Sequence, residues 1–260
     1  MATITIMAAP MVQKSVMIDI HCHILPGIDD GAGTPQEARE MLDLQLSSGV
    51  NQLFVTPHYH PERTPLEKFL SARERAWEAL EPLLSGKDSL QIRLGAEVRY
   101  CPQLLKENLK ELTLGDSDYL LLELPSRRCP AYMGQFMEEL LGMGVLPVLA
   151  HVERCAYFRE KPELLKNLVD LGVLAQVSAG ALFDRKDRNF ARACLEHGLA
   201  QIIASDAHNI VERKPNMMQV DRLSAELRQQ QEVFSCAVWD NKLPPYFKAE
   251  IVKKTLLGYR

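Results

Sequence analysis

Seven short apolar runs punctuate the chain, and between them the apolar residues change period, returning every third or fourth position instead of in continuous blocks. The runs IDIHCH (18–23), FVTPH (54–58), IRLGAE (92–97), YLLLE (119–123), LPVLAH (146–151) and IIASDAH (202–208), with a further run ending near Gly180, lack the polar alternation of a strand that has one wet face. They read as parallel strands buried on both sides. The segments 35–48, 66–84, 102–112, 132–143, 162–171, 187–197 and 216–234 carry the helical period. Pro35 behind Thr34, and Pro162, suit first helical turns, and Gly49, Gly144, Gly172 and Gly198 fall just past helix ends. Strand and helix alternate without a Pro-, Gly- or Ser-rich linker, which predicts one α/β domain over 17–242 built as a barrel of seven βα units. Residues 1–16 have no basic stretch and no cleavage site, and are expected to be a disordered extension. The tail 243–260 follows a Pro-Pro break with a short amphipathic pattern, expected to be a short helix docked on the barrel.

Six of the seven runs end on His, Asp or Glu, although these types make up only about one residue in six of the chain. Parallel strands in a barrel bring their C-terminal ends to one rim, so these endings predict a metal site there. His21 and His23 are two apart on a strand and face the same way, whereas Cys22 faces the opposite side. His58 and His60 repeat that spacing. His58 comes first after the strand; His60 either supports the site from behind or faces the substrate. Glu97 and Glu123 end the third and fourth runs, with Gly95 and Ala96 leaving room for the Glu97 carboxylate to reach inward. Buried carboxylates need a counter-charge, and beside histidines a metal supplies it. His151 closes the fifth run, and Asp206 and His208 close the seventh. Five histidines, two glutamates and one aspartate are too many for a single ion. They suggest two or three metals with bridging carboxylates, a cluster that acidifies water to hydroxide near neutral pH. Arg154 and Arg213 follow two of these endings, and guanidinium forks match phosphate oxygens, which favours phosphate-ester hydrolysis. His197, before Gly198 at a helix end, is read as structural.

Composition excludes some alternatives. With 260 residues, 47% hydrophobic, 25% charged and a net charge of −4, the chain has no long basic cluster for nucleic acid and no run long enough for a membrane span. Its six cysteines stand apart without a CxxC pair, as expected of reduced thiols in a cytoplasmic protein.

The motifs DIHCHILPGIDDG, TPHYH, GAEVRY, LLLEL, HVER and SDAHN, spread from about Met17 to Leu227, resemble the polymerase-and-histidinol-phosphatase (PHP) superfamily. Within it they are most similar to the bacterial manganese-dependent protein-tyrosine phosphatases that accompany capsular and exopolysaccharide synthesis. The resemblance implies a distorted (βα)7 TIM-like barrel with a trinuclear site at the C-terminal rim of its strands. His21, His23, His58, Glu97, Glu123, His151, Asp206 and His208 would be the ligands, of manganese first, with iron or zinc as alternatives. Asp30, Arg154 and Arg213 would assist catalysis or hold the phosphate, with Asp30 protonating the leaving tyrosyl oxygen. Val152 stands where the family usually has Pro, a change of loop stiffness more than of chemistry. The implied substrate is a phosphotyrosine protein, the tail of a membrane-bound tyrosine kinase. A histidinol-phosphate type of small-molecule phosphatase, a nuclease and a non-catalytic metal-stabilised scaffold are the rivals. Amidohydrolases share the first HxH, but carry a modified lysine where this chain has Glu97 and Glu123.

Overall fold

In the computed structural model, residues 16–245, 248–252, 254–255 and 258–259 are described. The apolar runs become the strands β1 (Met17–Asp19), β2 (Val50–Val55), β3 (His58–Tyr59), β4 (Gln91–Leu94), β5 (Glu97–Arg99), β6 (Tyr119–Glu123), β7 (Leu146–Leu149), β8 (Leu174–Ser178) and β9 (Ile202–Ala204). All pair in parallel, in the orders β1-β2-β4 and β3-β5-β6-β7-β8-β9. Seven runs give nine strands because the second breaks at Thr56 and Pro57 and the third at Gly95 and Ala96. The ladder nevertheless continues across both breaks, since Gly95 N–H donates to the Val55 carbonyl and Glu97 N–H to the Pro57 carbonyl. At the far end, Asp206 N–H donates to the His21 carbonyl and His23 N–H to the Ala207 carbonyl, both at 2.9 Å. These bonds link the seventh run back to the first, so the runs follow one another around a ring.

The double burial expected of parallel strands divides the core in two. Ile18, Ile20, Phe54, Tyr119, Leu121, Val148, Leu174, Ile202 and Ala204 form an inner cluster, while Leu53, Val55, Leu120, Leu122, Leu149 and Ile203, their neighbours in sequence, join the outer cluster beneath the helices. Each strand thus sends alternate residues to opposite faces.

Helices α1 (Pro35–Ser47), α2 (Leu66–Leu80), α3 (Met133–Gly142), α4 (Ala156–Glu160), α5 (Pro162–Asp170), α6 (Arg188–Glu196) and α7 (Ala225–Trp239) surround the strands. Thr34 caps α1 by accepting from Glu37 N–H, as its position before Pro35 predicts. α7 enters the inner cluster through Phe234, Val238 and Trp239.

Four expectations need correction. Residues 102–112 form two 3-10 turns, Pro102–Lys106 and Leu109–Glu111, because the chain leaves helical geometry at Glu107 and Asn108. The segment 216–234 divides into a 3-10 turn, Met217–Arg222, and α7, whose first turn is capped by Ser224. α4 was not foreseen. The tail holds no helix among its described residues: β10 (Lys254–Thr255) pairs antiparallel with β11 (Gly258–Tyr259), and the Tyr259 hydroxyl donates to the Arg159 carbonyl. In the tail Ala249 and Val252 are buried, and the Tyr259 ring lies 4.8 Å from that of Phe190. Of the extension expected over 1–16, residues 1–15 lie outside the described residues.

Candidate metal centre

Glu97, the first residue of β5, stands where the strand ends converge. Its Oε2 lies 3.2 Å from the Nε2 atoms of both His21 and His23 and 2.9 Å from His58 Nδ1, and its Oε1 lies 2.8 Å from His151 Nε2. His21 and His23 face each other with Nε2 atoms 3.0 Å apart, which their spacing on an extended chain allows. Asp206 Oδ1 is 3.4 Å from His21 Nε2, and the His208 ring stacks on His23 at 3.7 Å between centroids. Asp30, from the loop after His23, places Oδ1 3.3 Å from His58 Nε2 and 3.5 Å from His208 Nε2. Among the described residues three groups of close donor atoms result: His23, Asp30, His58 and His208; His21, His23 and Glu97; and His58, Glu97 and Glu123. His151 and Asp206 adjoin these groups through Glu97 and His21.

The donors fit divalent ions. Two ligands at right angles around one ion, each about 2.1 Å away, sit about 3 Å from one another, the spacing seen between the His21 and His23 nitrogens. Glu97 Oε2 is buried with three ring nitrogens close by, yet none approaches with hydrogen-bond geometry, and His208 Nε2 is likewise buried without a partner. Atoms crowded together but not bonded to one another are what a shared cation would satisfy. Imidazole mixed with carboxylate suits manganese, iron and zinc.

Electrostatics without a cation show the same crowding. Burial pushes the Glu97 carboxyl up, but the surrounding His21, His151 and His23 hold it well below the carboxylate range. Burial works against a charged His23, yet the hydrogen bond to Asp29 and the adjacent Glu97 carboxylate raise it from 6.5 to about 10. His208, buried and beside His23, is lowered to about 3. Asp206 is also held low, burial being outweighed by His21 and Arg154.

The family model for capsular polysaccharide synthesis, CpsB/CapC, matches residues 17–241. The chain belongs to the CpsB/CapC family. A tyrosine-protein phosphatase of Bacillus subtilis, YwqE, is 35% identical over 202 residues, covering 76% of this chain and 79% of its own length. A chain from the crystal structures of YwqE and of CpsB from Streptococcus pneumoniae, metal-dependent tyrosine phosphatases, superposes with a TM-score of 0.83 at 31% identity, covering 91% of this chain and 100% of its own. A histidinol phosphate phosphatase from Lactococcus lactis, at 14% identity and a TM-score of 0.54, covers 82% of this chain and 92% of its own and shares the fold alone.

In this CpsB/CapC-family chain several supporting residues escape sequence reasoning. Asp29, adjacent to the predicted Asp30, turns inward: its Oδ2 lies 2.8 Å from His23 Nδ1 and accepts from His58 N–H. Gln176 in β8 places Oε1 3.2 Å from His21 Nδ1 and accepts from the His151 backbone N–H, holding the His21 ring and the His151 main chain at once. Glu123 is held by Arg99 at 2.8 Å. An i, i+2 count along β5 would have found Arg99; nothing in the sequence marks Asp29 above Asp30, or Gln176 at all. His151 and Asp206 both adopt left-handed backbone, at φ 34° and 51°, uncommon for such residues and frequent at functional sites.

Arg154 and Arg213 meet on Asp206, Arg154 in a short ion pair and Arg213 at 3.1 Å from both oxygens. Val152 opens the 3-10 turn Val152–Arg154 that carries Arg154. Gly95 departs from expectation. The space beside it is filled by Leu114 and Thr113, not by the Glu97 carboxylate. His60 belongs to none of the three groups and instead lines a cleft with His58, Lys68 and Phe69.

Proposed function

We propose that the chain is a metal-dependent protein-tyrosine phosphatase acting on a phosphoprotein of polysaccharide synthesis, the tail of a membrane-bound tyrosine kinase being the expected substrate. The observation that carries this reading is the set of three donor groups linked through His23, His58 and Glu97, with two arginines at its edge. His21, His23, His58, Glu97, Glu123, His151, Asp206 and His208 would hold two or three divalent ions, manganese first. When bound, such ions acidify water and offset the charge of a phosphoryl group.

The chain's own residues do the rest. Each guanidinium has five N–H donors, and Asp206 occupies only part of them, so Arg154 and Arg213 keep N–H groups for phosphoryl oxygens. Asp206 holds the two forks in one place. Asp30, whose side chain is 63% exposed at the mouth, is aimed by Arg213 at 3.6 Å and can hand a proton to the departing tyrosyl oxygen. No cysteine is needed as nucleophile: Cys22 and Cys155 are buried, and burial pushes the Cys155 thiol up to about 12. Among the described residues no helix is long and apolar enough to cross a membrane.

The test is a rate comparison with manganese present, using phosphotyrosine and phosphoserine peptides and histidinol phosphate. Preference for the phosphotyrosine peptide is expected; preference for histidinol phosphate would transfer the assignment to the small-molecule class.

A further inference from the structure

Two clefts flank the centre, and they differ in chemistry. One, beyond Asp206, is walled by charged and polar groups that include Glu153, Arg154, Asp184 and Arg213. The other, about 460 Å³, runs from Asp30 and His58 over strand β3 to helix α2. Its apolar wall is Ile28, Tyr59, Phe69 and Ala72, with the Tyr59 and Phe69 rings 4.8 Å apart; Asp29 lines it at the end near Asp30, and Thr64 and the exposed Lys68 line it as well. His60 also lines it, with a buried Nδ1 that has no hydrogen-bond partner.

We propose that this second cleft seats the ring of the phosphotyrosine and that Lys68 selects peptides with an acidic residue beside it. The inference rests on the phosphatase reading and deepens it. Asp30 and His58 belong both to the cleft and to the donor group with His23 and His208, so a phosphoryl group held there has its ester oxygen next to the cleft. The arginines stand on the other cleft, through which a planar apolar ring would pass only by stripping water from charges it cannot pair. Aromatic and aliphatic side chains in the second cleft match the ring instead, and its volume exceeds that of one tyrosine side chain, leaving room for a neighbouring residue. Among the described residues Lys68 makes no ion pair, so an acidic residue of the peptide would be its first charged partner.

Two variants of the metal-loaded full chain test this. Ala72→Trp fills the cleft, and should raise KM for a phosphotyrosine peptide at least about tenfold and lower the phosphotyrosine-to-phosphoserine ratio of kcat/KM by a similar factor. Lys68→Glu, on the surface, should raise KM several-fold for a Glu-flanked phosphotyrosine peptide and lower it for the Lys-flanked one, with kcat little changed. A folded pair of variants with the wild-type KM on both peptides overturns the cleft assignment while leaving the phosphatase standing. Should Ala72→Trp fail to fold, the charge swap alone decides. A wild-type protein that cleaves neither peptide with manganese, iron or zinc overturns the phosphatase reading, and the ring seat with it.

Discussion

Gln176 is the residue whose importance the sequence conceals most completely. It sits inside a strand, yet its amide oxygen faces His21 Nδ1 and accepts from His151 N–H. Gln176→Ala should leave the candidate ligands in place but free the His21 ring and the His151 main chain, weakening metal affinity about 10–100-fold, as a metal titration followed by activity would measure. An unchanged titration curve would mean that the two histidines are oriented by something else. Cys22→Ser and Cys155→Ser should keep activity, because neither buried thiol faces the donor groups; loss of turnover in either, with the fold intact, would speak for thiol chemistry. At this scale, legibility follows period. His21 with His23 could be read because a strand turns alternate residues to one face, and Asp206 with His208 because they continue an apolar run. Asp29 and Asp30 are adjacent acids in one loop, and only the folded loop shows that Asp29 is buried against His23 while Asp30 stands at the exposed mouth beside His58.

The loop after β1 is the element that sets the mouth of the centre. Gly31 N–H donates to Asp29 Oδ1, Ala32 N–H donates to the His23 carbonyl, and a Cβ at Gly31 would stand 2.0 Å from that same carbonyl oxygen. Gly31→Ala therefore cannot be absorbed by a side-chain rotation; the loop must move, carrying Asp29 and Asp30 away from His23 and His58. We expect a destabilisation of about 2 kcal/mol or more and at least tenfold lower turnover, measured by thermal unfolding and by phosphate release. Wild-type behaviour in both would show that the loop does not shape the site. Other elements were readable to different degrees. The strands were clear because continuous apolar runs have few other solutions in an α/β chain. The segment 102–112 carries helical spacing but is too interrupted to sustain it, and the few apolar residues of the tail fit a strand pair as well as a helical face.

For the whole molecule, the buried charges make stability depend on pH and on metal together. In the metal-free protein Asp29, lowered from 3.8 to about 2, and His208, lowered from 6.5 to about 3, bind protons more readily once unfolded, so stability falls as pH drops below 6.5. His23, raised from 6.5 to about 10, holds its proton more tightly when folded, so stability also falls as pH rises from 6.5 towards 10. The metal-free midpoint of thermal unfolding should peak near pH 6.5. Metal binding takes the neutral imidazole, so added metal should release protons, flatten the alkaline arm and stabilise more at pH 8 than at pH 6. Equal stabilisation at both values would mean that His23 is not among the ligands. The barrel as a whole was legible from alternation, whereas the bonds at its seam, Asp206 N–H to the His21 carbonyl and His23 N–H to the Ala207 carbonyl, join residues about 185 positions apart and leave no local mark in the sequence.

The most direct measurement strips the purified chain with chelator, returns manganese in steps, and counts bound ions per chain while following phosphate release from a phosphotyrosine peptide. Hydrolysis absent from the stripped protein and restored as two to three ions bind is the predicted result. Full hydrolysis by the stripped protein, or none by the loaded one, would contradict a metal-dependent tyrosine phosphatase.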